Sequence, residues 1–434
     1  MPADARQAAA AIWRAALAAG DVAPLVQRHL QLAGHRLTAG PLALDLDRVR
    51  RVLVLGAGKA GASMARGVEA ILGPRVSEGF VVVKDGYRLP AARVEIAEAG
   101  HPVPDGRGLA ASARLLALAQ SATADDLVIV LVSGGGSALT PAPAPPITLE
   151  EKQAVTRLLL AAGATINELN AVRKHLSRFK GGLLARAAWP ATVLTLALSD
   201  VIGDPLDVIG SGPTAPDPTR YADALAVLER RGVAARTPRP ILDRLRAGVR
   251  GEFAETPKPG DEVFVRVTNL VIGNNALVVD AAATEAQRLG YRPHVLTRSL
   301  QGEARDVARD LLTQTRALPA PACLIAGGET TVTVRGRGRG GRCQEFALAA
   351  ALQLAEDEDL VVLAAGTDGT DGPTDAAGGI VDAGTVARGR TAGLEAAQTL
   401  ADNDAHAFLT AAGDSVVTGP TNTNLLDLYL VLRP

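Results

Sequence analysis

Short apolar runs alternate along the first half of the chain with longer Ala-rich stretches of helical pattern. The runs Val52–Leu55, Gly79–Val83, Val94–Glu98, Leu127–Val132 and Ala191–Leu198 predict strands. Between them, Gly108–Gln120 and Glu150–Leu160 read as helices. Strands separated by helices imply βαβ units, hence a mostly parallel sheet covered on both faces. In such a sheet a ligand sits beyond the carboxyl ends of the strands.

From Arg236 to Asp261 the pattern breaks into Pro, Arg, Gly and Glu, with prolines at 238, 240, 257 and 259. This stretch reads as a domain connection, giving an N-terminal domain over 1–245 and a C-terminal domain over 260–434. The second half restarts with a strand at Val267–Ile272, a helix from Asn275 to Leu289 and strands at Arg292–Leu296 and Cys323–Ala326. A strand at Thr330–Val334, a helix from Glu345 to Leu354, a strand at Leu360–Ala364 and an apolar stretch from Leu425 to Leu432 complete it. The expected fold class is α/β throughout. It combines a Rossmann-like, mostly parallel sheet with a second α/β domain whose sheet is mixed, including an antiparallel pair around Thr331.

Composition narrows the function. The 434 residues exceed what one core usually supports, in line with two domains. Only 3% are aromatic, so the cores must rest on Ala, Val and Leu. A formal net charge of −1 offers no global attraction to nucleic acid or an anionic membrane. The two cysteines, Cys323 and Cys343, make no disulfide framework. Charged residues interrupt the N-terminal stretch where a secretory signal would be apolar. The uncharged segment from Leu127 to Ile147 is long enough to span a bilayer, but three glycines and a proline run break it. The expectation is a cytoplasmic protein.

Glycine-rich loops at the strand exits carry the candidate chemistry. Val52–Leu55 runs into Gly56-Ala57-Gly58-Lys59-Ala60-Gly61 and then a helix-compatible run. Backbone amides bared by glycine, together with a helix N-terminus, favour an oxyanion. Leu127–Val132 runs into Ser133-Gly134-Gly135-Gly136-Ser137, whose amides and hydroxyls suit a phosphate. Two such loops point to a phosphorylated ligand. The first matches the dinucleotide fingerprint, yet Lys59 occupies a turn where bare backbone normally meets the pyrophosphate. No segment ends in the Gly-Lys-Ser/Thr of a P-loop.

Carboxylates stand at other strand exits: Asp200 after Val193–Leu198, and Asp368, Asp371 and Asp375 after Leu360–Ala364. Such groups suit Mg²⁺ or a base that takes a hydroxyl proton. The run from Arg335 to Arg342 alternates arginine and glycine ahead of a helix, with Arg342 best placed to clamp a carboxylate or phosphate. Asn170, Arg173 and Lys174 form a further candidate contact face. His101, with prolines on both sides of the nearby Val103, reads as structural or at most a ligand contact.

Taken in order, these segments resemble the class II glycerate kinases, the glycerate 2-kinase family whose C-terminal part is the MOFRL domain. The resemblance is carried by Gly56–Gly61 with Lys59, Gly100-His101-Pro102-x-Pro104-Asp105, Ser133–Leu139, and Glu168 to Ser177 with Asn170 and Arg173. It continues through Ser199-Asp200-Val201-x-Gly203-Asp204, Gly210–Pro213, Gly327–Thr330, Gly340-Gly341-Arg342, Gly366 to Gly372, and Gly419-Pro420-Thr421-x-Thr423-Asn424. It implies catalytic roles for Lys59, Arg342, Asp200 and Asp368. Binding roles follow for Gly56, Gly58, Ser133, Gly134, Gly135, Gly136, Ser137, Asn170 and Arg173, and metal contact at Asp200 and Asp368. One departure is Cys343, where the family usually has Asn.

The implied reaction moves the γ-phosphoryl of ATP to the 2-hydroxyl of D-glycerate, with Mg²⁺ assisting and the site in an interdomain cleft. Asp200 and Asp368 share the roles of base and metal ligand in either order. The implied cofactors are ATP and Mg²⁺, and the partner is the small-molecule substrate. Neither nucleic acid nor membrane is expected, and a homo-oligomer is left open. The alternative is an NAD(P)H-dependent hydroxypyruvate reductase, suggested by the Gly56–Gly61 fingerprint. It lacks a clear ribose-binding acid. A nucleotide- or sugar-phosphate-binding regulator is a non-enzymatic option, disfavoured because carboxylates near phosphates repel them without a metal.

Overall fold

The computed structural model describes residues 4–434, which divide into two compact units. One is the continuous segment Val22–Ile272; the other joins the stretch up to Asp21 with Gly273–Pro434.

The first unit begins with an antiparallel meander of β1 (Gln31–Ala33), β2 (Arg36–Ala39) and β3 (Leu42–Asp45). Its main sheet holds β4 (Val52–Ala57), β5 (Val76–Lys84), β6 (Val94–Ala99), β7 (Leu127–Val132), β8 (Thr192–Leu198) and β9 (Val267–Gly273). They lie in the order β6-β5-β4-β7-β8-β9. Pairing is parallel from β6 through β8, with Leu55 opposite both Phe80 and Val130. Every residue of β4, β7 and β8 is buried, which explains their unbroken apolar runs. The strand order reverses between β4 and β7, so the loops that leave these two strands flank the switch point of a Rossmann-type sheet.

Side chains fix where the covering helices start. Asp105 caps helix Gly106–Gln120 by accepting from Gly108 N. Reciprocal bonds of Thr148 with Glu151, and of Thr165 with Glu168, open helices Leu149–Ala161 and Ile166–His175. These two helices share a satellite core with Tyr221–Arg230 and Arg239–Val249, including Leu159, Val172, Leu228 and Leu245. Each fully buried leucine there contributes roughly 2 kcal/mol.

The second unit holds β10 (Arg292–Leu300), β11 (Ala322–Gly328), β12 (Val361–Gly366), β13 (Gly378–Val381), β14 (Ser415–Val416) and β15 (Asp427–Arg433). Their order is β10-β11-β15-β12-β13-β14. Only β10 and β11 pair in parallel, so the sheet is mixed. The apolar Leu425–Leu432 stretch supplies β15, whose Leu430 faces both Ile325 and Leu363 across the ladders.

Three expectations change. The run at Val267–Ile272 opens no second domain: β9 edges the parallel sheet, and Val267 and Val271 pack on its core. Helix Ala5–Ala19 belongs to the mixed-sheet unit, where Ile12 and Trp13 are buried and Arg6 pairs with Asp382 and Asp414. The unit boundaries therefore fall near residues 21 and 272, away from the Pro-rich stretch, much of which forms helix Arg239–Val249. Finally, Thr330–Val334 forms no strand and keeps a single parallel bridge, Glu303 with Thr331. Beyond it the Arg335–Arg339 backbone donates to Asp402, Asn403 and Asp404 side chains in place of a ladder. The antiparallel pairing comes instead from β15, with β11 and β12, and from β13, with β12 and β14. Among the described residues, no single helix is long and apolar enough to cross a membrane.

Candidate active site

At the switch point the two glycine loops of the parallel-sheet unit are built against each other. Gly58 has φ of +136°, and a Cβ there would stand 2.2 Å from Ser133 Oγ. Ser133 is fully buried; its hydroxyl accepts from Ala60 N at 3.0 Å, while its own amide donates to Ala57 O. Lys59 N donates to Gly134 O at 2.9 Å, and the Lys59 side chain is partly exposed. Gly56 lies within β4 against Leu131 and Val81, and Gly61 lets helix Gly61–Leu72 approach Val81. Gly56, Gly58 and Ser133 thus have packing reasons to be what they are: they aim Lys59 and the second loop.

That second loop borders a cavity of about 360 Å³. Gly135 and Ser137 line it beside His101, whose ring would lie 3.0 Å from a Cβ placed on Gly135, with Lys59 Cγ at 3.6 Å. Lys152, Arg157, Arg173 and Lys180 also face the cavity, and its lining includes neither Asp nor Glu among the described residues. Lys180 Nζ donates to the carbonyls of Ser137 and Thr140 at 2.8 and 2.9 Å, and Lys152 Nζ to that of Pro141 at 2.5 Å. Burial, with the Arg173 charge adding to it, pushes the Lys152 ammonium down to about 7. Burial also drives Lys180 well below its ordinary range, helped by Lys152 and Arg173. Cations held in this state gain from any anion that reaches them.

The helix Ile166–His175 serves several purposes. Arg173 faces the cavity, whereas Lys174 is buried against Asp207 and Asp217 at 3.1 and 3.3 Å. Asn170 accepts from Ser211 Oγ at 3.0 Å, and that hydroxyl lies 2.9 Å from Ser137 Oγ. His175 is packed between Ala171 O and Glu255. Asp200 is partly exposed on the loop after β8.

In the mixed-sheet unit, Arg342 opens helix Arg342–Ala351 and grips Asp427 with a two-pronged contact, Nε to Oδ2 at 2.5 Å and a second nitrogen to Oδ1 at 2.8 Å. Glu329 lies 2.9 Å from its third nitrogen. Burial alone would lower the guanidinium, but Asp427 and then Glu329 raise it, so it stays charged. Asp427 also accepts from Tyr429. A Cβ on Gly366 would meet Asp427 Oδ1 at 3.2 Å and Asp368 Oδ1 at 3.5 Å, so the two carboxylates converge there. Asp368 Oδ1 accepts from Thr370 N. Asp371 turns inward instead, accepting from Cys343 N and Gln344 N, and burial raises it to about 6. The Cys343 thiol is fully buried and bonded to Asp427, and burial first, then the Asp427 and Asp371 charges, push it far up. No three His, Cys, Asp or Glu side chains are grouped to hold a metal among the described residues.

Sequence alone does not single out Lys152 or Lys180. Lys152 sits in Glu150-Glu151-Lys152-Gln153, which looks like a solvated helix face. Lys180 had one usable signal, the Gly181-Gly182 pair beside it, which takes left-handed backbone in the structure.

Paired glycine loops at a Rossmann-type switch point, beside a cavity walled by cations, define a class of α/β enzymes that handle small anionic substrates. Family models match residues 8–246 to a domain of unknown function, DUF4147, and residues 322–427 to the MOFRL family. A D-glycerate 2-kinase of Thermotoga maritima is 43% identical over 399 residues, 90% of this chain and 91% of that protein. A protein of Agrobacterium vitis named as a hydroxypyruvate reductase is 43% identical over 392 residues, covering 88% and 87%. The solved glycerate kinase structure from Thermotoga maritima superposes with a TM-score of 0.83 at 39% identity, covering 99% of each chain. The chain belongs to the glycerate kinase family, with its DUF4147 and MOFRL parts in the usual order.

Proposed function

We propose that this enzyme transfers the γ-phosphoryl group of ATP to the 2-hydroxyl of D-glycerate, giving 2-phosphoglycerate. The observation that carries the reading is the pair of interlocked glycine loops that present Lys59 beside a cavity whose lining holds cations and no carboxylate among the described residues, in a chain of this family. Phosphoryl transfer depends on alignment and charge neutralisation more than on covalent help from the protein. Lys59 meets the transferred group as a point charge. The Gly134–Ser137 loop cradles phosphate oxygens, while Ser133 behind it holds the two loops in register. Arg342, kept charged by its carboxylate partners, holds the glycerate carboxylate or the charge that develops on transfer.

One of Asp200 and Asp368 accepts the 2-hydroxyl proton, and the other would hold the metal. These isolated hard-oxygen donors fit Mg²⁺, which binds through one or two carboxylates plus substrate phosphates and needs no closed protein cage. Bound Mg²⁺ supplies charge neutralisation across the phosphates. The reaction needs ATP, in keeping with a cytoplasmic setting.

The test is a product assay with D-glycerate, ATP and Mg²⁺, read by ³¹P NMR and run on wild type and Lys59→Ala. 2-Phosphoglycerate from wild type and not from the variant supports the reading. Absence of any phosphorylated product, with NADH oxidised in the presence of hydroxypyruvate, would replace it by the reductase.

A further inference from the structure

The cavity of the parallel-sheet unit combines buried cations with exposed apolar side chains. Lys152 and Lys180 are buried in its wall and bonded to main-chain carbonyls, Arg173 faces it with them, and Arg157 lines it from the exposed side of the same helix as Lys152. Its lining also includes Val103 and Leu160, which are 60% and 56% exposed, large apolar side chains standing in water. A three-carbon acid would engage the cations and leave those apolar residues bare. An occupant that satisfies both the cations and the apolar side chains is an amphiphilic anion, charged in one part and apolar in another.

We propose that this cavity is the nucleotide-binding site, with the polyphosphate held by Lys152, Lys180 and Arg173 and the purine resting against Val103 and Leu160. The assignment rests on the kinase reading and extends it to residues that reading did not use. Each ammonium has three donors, of which the carbonyl contacts account for two. Phosphate oxygens receive the third and restore the stabilisation that burial removes from the charged form. The polyphosphate then runs toward Gly135, the residue flanked by both the His101 ring and Lys59 Cγ. Its terminal phosphoryl group arrives where Lys59 stands.

Isothermal titration of the full-length protein with ADP, and separately with inorganic tripolyphosphate, tests the assignment. The variants are Lys152→Met and Leu160→Ser, with folding checked by thermal melting. Lys152→Met is expected to weaken both probes by about tenfold or more, and Leu160→Ser to weaken ADP by about threefold while leaving tripolyphosphate within about twofold. The KM for D-glycerate is expected to stay within about twofold in both. An ADP affinity unchanged in both variants, or a rise confined to the glycerate KM, would overturn the proposal in favour of a structural or an acceptor role. If Lys152→Met does not fold, Leu160→Ser decides alone, since its side chain is half in solvent. Failure of the kinase reading has a different signature: no phosphoglycerate from wild type, whatever the ADP titration gives.

Discussion

The two units treat their functional cations in opposite ways. In the mixed-sheet unit, Arg342 is matched by carboxylates: Asp427 grips it through two contacts and Glu329 through a third. In the parallel-sheet unit, Lys152, Lys180 and Arg173 face a cavity with no carboxylate in its lining among the described residues. A cation that carries its own counter-charge keeps both position and charge whether or not substrate is present. Lysines without one are only conditionally charged, and on the nucleotide proposal the missing partner is the ligand. The first arrangement suits a group that must be ready for charge arising during the reaction. The second suits ground-state capture of an anion.

The comparison breaks most sharply at Arg342. Arg342→Ala leaves Asp427 buried without its cation, so it should cost about 3–5 kcal/mol of stability in urea unfolding as well as activity. Lys152→Met should leave stability unchanged or higher by up to about 1 kcal/mol, because it removes a desolvated charge. Equal losses in the two variants would erase the distinction. Lys59→Ala, at a partly exposed position, should lower kcat by about 10²–10³-fold with the melting temperature little changed. A drop in melting temperature that accounted for the lost rate would assign Lys59 to structure. Gly58→Ala forces a side chain into left-handed backbone against Ser133 and should cost about 2 kcal/mol, raising the KM for ATP before that for glycerate.

The smallest effect is one of pH. Lys152 titrates near 7, below its ordinary range, so it is charged below that value and loses its proton above it. The charged groups that line the cavity with it are Arg157 on its own helix, Arg173, Lys180 and, when protonated, His101, all of one sign. ADP affinity should therefore fall several-fold, up to about tenfold, between pH 7 and 8.5, with proton uptake on binding at the upper end. Calorimetry in two buffers of different ionisation heat reads both. A flat affinity would mean that Lys152 stays charged without a counter-charge, unlike Arg342, which has Asp427 and Glu329 against it.

Much of this was legible in the chain. Strands buried on both faces announced themselves as apolar runs, and β7 coincides with Leu127–Val132 as read from the sequence. Strand-to-glycine exits correctly marked the loops at the switch point. What escaped depended on contacts distant along the chain. β9 is a plain apolar strand whose neighbour, β8, lies some seventy residues earlier, and nothing local says which sheet it joins. The interlock of Gly58 with Ser133 joins loops that each read as a ligand cradle, and only their proximity shows that part of each serves the other. Lys152 shares its helix turn with Glu150 and Glu151, so its burial is invisible to composition.

The position of β15 has a consequence for synthesis. This strand, translated after the other strands of its sheet, fills the middle of that sheet, and helix Ala5–Ala19 packs on the same unit. The continuous Val22–Ile272 segment can condense while the ribosome is still at work, but β11 and β12 have no shared neighbour until Asp427–Arg433 emerges. Asp427, the counter-charge of Arg342, rides on that final strand. The nascent chain therefore acquires its cation-lined cavity before Arg342 meets its counter-charge, so a ribosome stalled between the two would hold the folded cavity while Arg342 still lacks Asp427.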